Sequence, residues 1–112
     1  MHQKTEISYL VSLLKVFDLD YVNMVDEFQI SGLDVNNSDD VRTAVCRLMA
    51  PEFLTYPPEV KKRLLTSLQM VVGDERRLSE LFDRISLAFK DALVDKQRFL
   101  MTIQDELRSI GF

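Results

Sequence analysis

Between Asp74 and Gly111 the chain contains neither glycine nor proline. Leu78, Leu81, Phe82, Ile85, Ala88, Phe89, Ala92 and Leu93 form a stripe at helical spacing, and Phe99, Ile103, Leu107 and Ile110 extend it. Nothing local forbids one uninterrupted helix over residues 75–110. Such a helix would be about 54 Å long at ~1.5 Å per residue. A compact chain of this length has a radius of gyration near ~13 Å. The helix would therefore overhang its own domain and expose Phe and Ile. Either it breaks, or a second copy covers it and the C-terminal helix becomes a homodimer surface. Lys96 interrupts the stripe, and Asp95 can accept the first free N–H groups of a new helix. The sequence thus predicts a break near residues 94–96.

The remaining turns are equally scarce, with 3 Gly and 3 Pro in 112 residues. Ile7, Leu10, Val11, Leu14 and Phe17, widened by Leu13, give a first helix over residues 5–17, with Thr5 as its cap. Val22, Met24, Val25 and Phe28 suggest a second over residues 20–30, closed by Gly32. Asn36-Asn37-Ser38 is a turn signal, and Ser38 is placed to cap a third helix. Val41, Ala44, Val45, Leu48 and Met49 form its inner face, and Pro51 is expected to stop it. Pro58 suits the first turn of a fourth helix, lined by Val60, Leu64, Leu65, Leu68, Val71 and Val72, with Lys61, Lys62 and Arg63 turned mostly outward. Gly73 closes it and Asp74 opens the next. Those two helices share so short a turn that they must pack antiparallel, which places Leu64, Leu68, Phe82, Ile85 and Phe89 in one core.

No segment reads as a strand. Hydrophobic residues make up 46% and charged residues 29%, values of a globular chain rather than a disordered one. The predicted fold is an all-α, single-domain compact bundle of five or six helices over residues 1–112.

One cysteine, one histidine and no tryptophan restrict the chemistry available. His2 stands at the N-terminus, away from any nucleophile a base would have to reach. Cys46 falls on the inner side of the third helix and is read as a small buried hydrophobe. A lone cysteine cannot make an internal disulfide, which fits a reducing compartment. Neither a signal peptide nor a membrane-spanning run is evident, so a cytoplasmic, soluble protein without membrane contact is expected. Zinc would need a Cys/His set that is not present. Residues 34–40 place oxygens as a calcium loop does, but Asp39 stands where glycine belongs and Val45 where the bidentate Glu belongs. No metal or cofactor is expected. Glu80 with Asp83, and Asp105 with Glu106, are pairs of carboxylates, but each neighbours Arg at helical spacing, which makes surface ion pairs the simpler reading. The expectation is a protein without catalysis.

The distribution of charge is less ordinary than its sum of −4. Residues 16–41 contain Asp18, Asp20, Asp26, Glu27, Asp34, Asp39 and Asp40 and no base, a net of −7. The rest of the chain is net positive. Asp20, Asp39 and Asp40 suit helix starts. Asp18, Asp26, Glu27 and Asp34 have no such local role, and uncompensated like charges cost stability. They are the candidate site: an acidic face for a basic protein partner. The competing reading has bases from elsewhere in the fold, such as Lys61 to Arg63, neutralise them.

The clusters Lys61-Lys62-Arg63 and Arg76-Arg77 could serve nucleic acid, but Glu75, Glu80, Asp83, Asp91 and Asp95 are interleaved with the later bases. A duplex binder needs a uniformly basic face, so nucleic acid is the weaker expectation. In profile the chain, which is small, acidic, helical and without catalytic equipment, resembles bacterial immunity proteins, antitoxins and phage-encoded inhibitors. That resemblance is one of profile and carries no site residues. The function expected from the sequence is a protein-interaction module of the inhibitor or immunity type. The alternative is a small helical DNA- or RNA-binding transcriptional regulator.

Overall fold

In a computed structural model, residues 6–18, 30, 32–87, 89 and 92–111 are described. The second helix expected over residues 20–30, the Thr5 cap, His2, Asp26 and Glu27 lie outside them. The described elements are α1 (Glu6–Leu14), a 3-10 turn (Lys15–Phe17), α2 (Ser38–Ala44), a π turn (Val45–Met49), α3 (Ala50–Phe53), α4 (Pro58–Val72), α5 (Glu75–Asp83) and α6 (Lys96–Gly111). The fold is all-α, and the described residues pair as strand only at an isolated antiparallel bridge between Asp18 and Leu87.

α6 is the central element. Phe99, Leu100, Ile103 and Leu107 are all at most 2% exposed. α4 and α2 cover them, and each such burial contributes on the order of 1.5–3 kcal/mol. α1 lies along α4 and buries Ile7, Leu10, Leu13 and Leu14, while the 3-10 turn adds Val16 and Phe17. Leu64, Leu68, Ile85 and Phe89 are buried in this same core with Phe82 packed against it, as the shared Gly73–Asp74 turn predicts.

Four local expectations are corrected. The break in the last segment comes earlier and is longer than predicted: α5 ends at Asp83 and α6 begins at Lys96. Asp95 does cap α6, accepting the Arg98 N–H at 3.0 Å. The intervening connector keeps Ile85 and Phe89 buried but leaves Ala92 exposed. The longest axis is 39 Å, so the overhanging helix that would have called for a second copy does not form.

Pro51 does not stop the third helix. The backbone widens into the π turn just before it, and Ala50 N–H donates to Val45 C=O, five residues back. Widening relieves the clash of the proline ring with the carbonyl four residues earlier. The helical rod runs on to Phe53, which is fully buried.

Asn37, not Ser38, caps α2: its Oδ1 accepts the N–H groups of Asp39 and Asp40 at 2.9 and 3.1 Å. Val60 is 39% exposed rather than buried, because it sits in the first turn of α4, ahead of the packed face. Gly73 closes α4 with φ −85°, so it is not needed for a left-handed conformation. Asp74 caps α5 as expected, accepting from Arg76 and Arg77.

Candidate functional site

The described ends of the acidic stretch converge on the connector between α5 and α6. Asp18 follows the 3-10 turn in an extended conformation. It bridges Leu87, and its Oδ2 accepts the Ser86 N–H at 3.4 Å. At the other end, Asp34 Oδ1 accepts the Asn36 N–H at 2.9 Å, and Asp34 N–H donates to Asp40 Oδ2 at 2.8 Å. This is the local side-chain-to-backbone bonding that aspartate favours in turns. It presents Asn36 to the connector. Asn36 Nδ2 donates to Ala92 C=O at 3.0 Å, and its Oδ1 accepts the Val94 N–H at 2.8 Å.

Sequence reasoning missed these structural roles of Asp18 and Asp34. Both acids bond backbone N–H groups and shape the fold, while Asp34 remains exposed. Both sit against one connector, Asp18 near its start and the Asp34 turn near its end.

Of the cations proposed as neutralisers, Lys61 and Arg63 are engaged elsewhere. Arg63 donates to the Tyr9 hydroxyl at 2.7 Å and lies over its ring, 5.3 Å from the centroid. Lys61 lies 5.8 Å from the centroid of Phe53, and Lys15 pairs with Glu52 at 3.0 Å. Asp39 pairs with Arg42 at 2.9 Å. Arg98, from α6, reaches the stretch at the Ser38 hydroxyl, 3.2 Å away. These are solvent-facing contacts, each worth on the order of 1 kcal/mol or less.

Cys46 is exposed, not buried. It lies on the outer arc of the π turn, between the buried Val45 and Met49. Its thiol donates to Glu106 Oε1 at 3.6 Å. Partial desolvation against α6, the Glu106 charge and this hydrogen bond all push the thiol pKa up. That favours the unreactive protonated form. Among the described residues, no group of three or more His, Cys, Asp or Glu is placed to hold a metal ion. No helix among them is long and apolar enough to cross a membrane.

Of the carboxylate pairs, Glu80 binds Arg84 at 3.3 Å, the surface ion pair at helical spacing that the sequence suggests. Comparison with protein-family models, curated proteins and solved structures returns no match.

Proposed function

We propose that the chain is a non-catalytic protein-interaction module, of the inhibitor or immunity type, that binds a basic protein through the acidic stretch of residues 16–41. The observation that carries this reading is the placement of the nearby cations. Lys61 and Arg63 pack on Phe53 and Tyr9, so two of the three bases suggested as neutralisers are occupied away from the acids, and the third, Lys62, faces a groove beside Thr66 and Arg108. The sequence carries a net −7 over 26 consecutive residues, of which Asp39 is paired with Arg42, and an acidic excess of this kind accelerates encounter with a positive surface and selects against a negative one. Asp34 is held by backbone bonds while its side chain stays exposed, so little ordering cost falls on binding.

The test is affinity capture at low salt with the tagged chain and with its Asp26→Asn/Glu27→Gln variant. The proposal expects a basic protein that is held by the parent, released by moderate salt and lost from the variant. Retention on heparin with no such protein would favour the nucleic-acid regulator instead.

A further inference from the structure

We infer that the seam between α4 and α6 is a second docking surface, of opposite charge to the acidic stretch, that receives an acidic amphipathic helix from a protein partner. The two helices run antiparallel. Gln104 Nε2 donates to Gln69 Oε1 at 2.9 Å, and Gln97 Nε2 donates to Val72 C=O at 3.0 Å, so the α4 partner falls in number as α6 rises. A groove of about 490 Å³ lies over this seam, lined by Lys62, Leu65, Thr66, Gln69, Met70 and Arg108.

Its chemistry is divided. Met70 is 42% exposed. Met101, 46% exposed, lies beyond the groove's lining but shares the face of α6 that carries Arg108, two turns before it. Thioether side chains on a surface adapt to partner helices at low cost. The opposite end carries Lys62 from α4 and Arg108 from α6, both exposed. Among the described residues neither side chain makes an ion pair or hydrogen bond, although Asp105 lies one turn before Arg108. Two unpaired cations closing an apolar groove call for a ligand that is apolar along most of its length and anionic at one end.

The shape calls for a helix. Lys62, Thr66 and Met70 are spaced by four and form one ridge along α4, about 12 Å from end to end at ~1.5 Å per residue. Ridges of this kind pack into the groove of a third helix. The matching partner carries apolar residues at i, i+4 and i+7, with carboxylates one turn beyond them. The inference is independent of the acidic stretch, because no described residue of 16–41 lines the groove.

The experiment uses the full chain and two synthetic helical peptides. One has Leu at i, i+4 and i+7 and two Glu one turn beyond; the other has Lys in place of the two Glu. The chain's methionine methyl and backbone amide signals are followed by NMR during titration. The inference expects the Glu peptide to shift Met70, Met101, Lys62 and Arg108, and the Lys peptide to leave them unmoved. Lys62→Glu and Arg108→Glu, both at exposed positions, should each weaken binding about fivefold or more, and Met70→Glu should abolish it. Equal binding of both peptides, shifts centred elsewhere, or no shift with either peptide would overturn it. So would sedimentation as a dimer that Met70→Glu dissociates, since a second copy would then own the seam.

Discussion

Asn36 and Val94, 58 residues apart, are joined by a hydrogen bond of 2.8 Å from the Val94 N–H to the Asn36 side-chain oxygen. The same amide donates to Ala92 C=O, so one side chain fixes two points of the connector just before α6 begins. Asn36 is itself oriented by Asp34. The acidic stretch is therefore tied to the approach to α6 by the Asn36 amide, beside the bond that Arg98 of α6 itself makes to Ser38.

Replacing Asn36 by Ala removes both bonds. Both are exposed, so water takes up part of the loss and the cost should be about 1 kcal/mol in denaturant unfolding. Hydrogen exchange at the Val94 amide should accelerate more than at the amides of α4. Unchanged exchange at Val94 would show that the connector is held without Asn36.

Phe89 is the apolar anchor of the same connector. It is 7% exposed and meets Phe17 and Phe99 edge to face, with centroids 5.4 and 6.3 Å away. Phe89→Ala should cost about 3–5 kcal/mol, the range for emptying an aromatic core site. A loss below ~1 kcal/mol would place Phe89 outside the core.

Much of this architecture follows from local chemistry. Gly73, Asp74 and Pro58 mark the boundaries of α4 and the start of α5 because each acts on its own backbone. The connector could not be read in the same way. Residues 84–95 have no breaker in the sequence, and what holds the described ones outside a helix is long-range: the Phe17 and Phe99 rings, the Asn36 amide and the Asp18 carboxylate 68 residues from Ser86. The π turn is another such case, since Pro51 signals a stop while the fold absorbs it by widening the preceding turn. For the candidate site, the charge partition is plain in the sequence. The structural roles of Asp18 and Asp34 are not, because their partners are backbone N–H groups that only the folded chain brings near.

Cys46 offers a chemical probe of the contact between the π turn and α6. It is exposed, yet partial desolvation, the Glu106 charge and the thiol–carboxylate bond hold its pKa above the ordinary value. The protonated form is favoured, so alkylation by iodoacetamide near neutral pH should be slower than for a model thiol. Glu106→Gln removes the negative charge, lowers the thiol pKa and should speed alkylation several-fold. Its pH–rate curve should move to lower pH. Identical curves for parent and variant would show that Glu106 does not govern the thiol.

Whether the acidic stretch is a binding face is tested most directly by the association rate of the captured basic partner as salt is raised. Asp26→Asn/Glu27→Gln is the informative variant, because Asp18 and Asp34 also bond the backbone and their loss would lower stability for that reason alone. If it is, the double variant melts within about 1 °C of the parent, associates several-fold more slowly at low salt, and matches the parent near ~0.5 M, where the Debye length falls to about 4 Å. A lower melting temperature with an unchanged association rate would contradict it, and would show that these acids are neutralised within the fold by bases from the later helices.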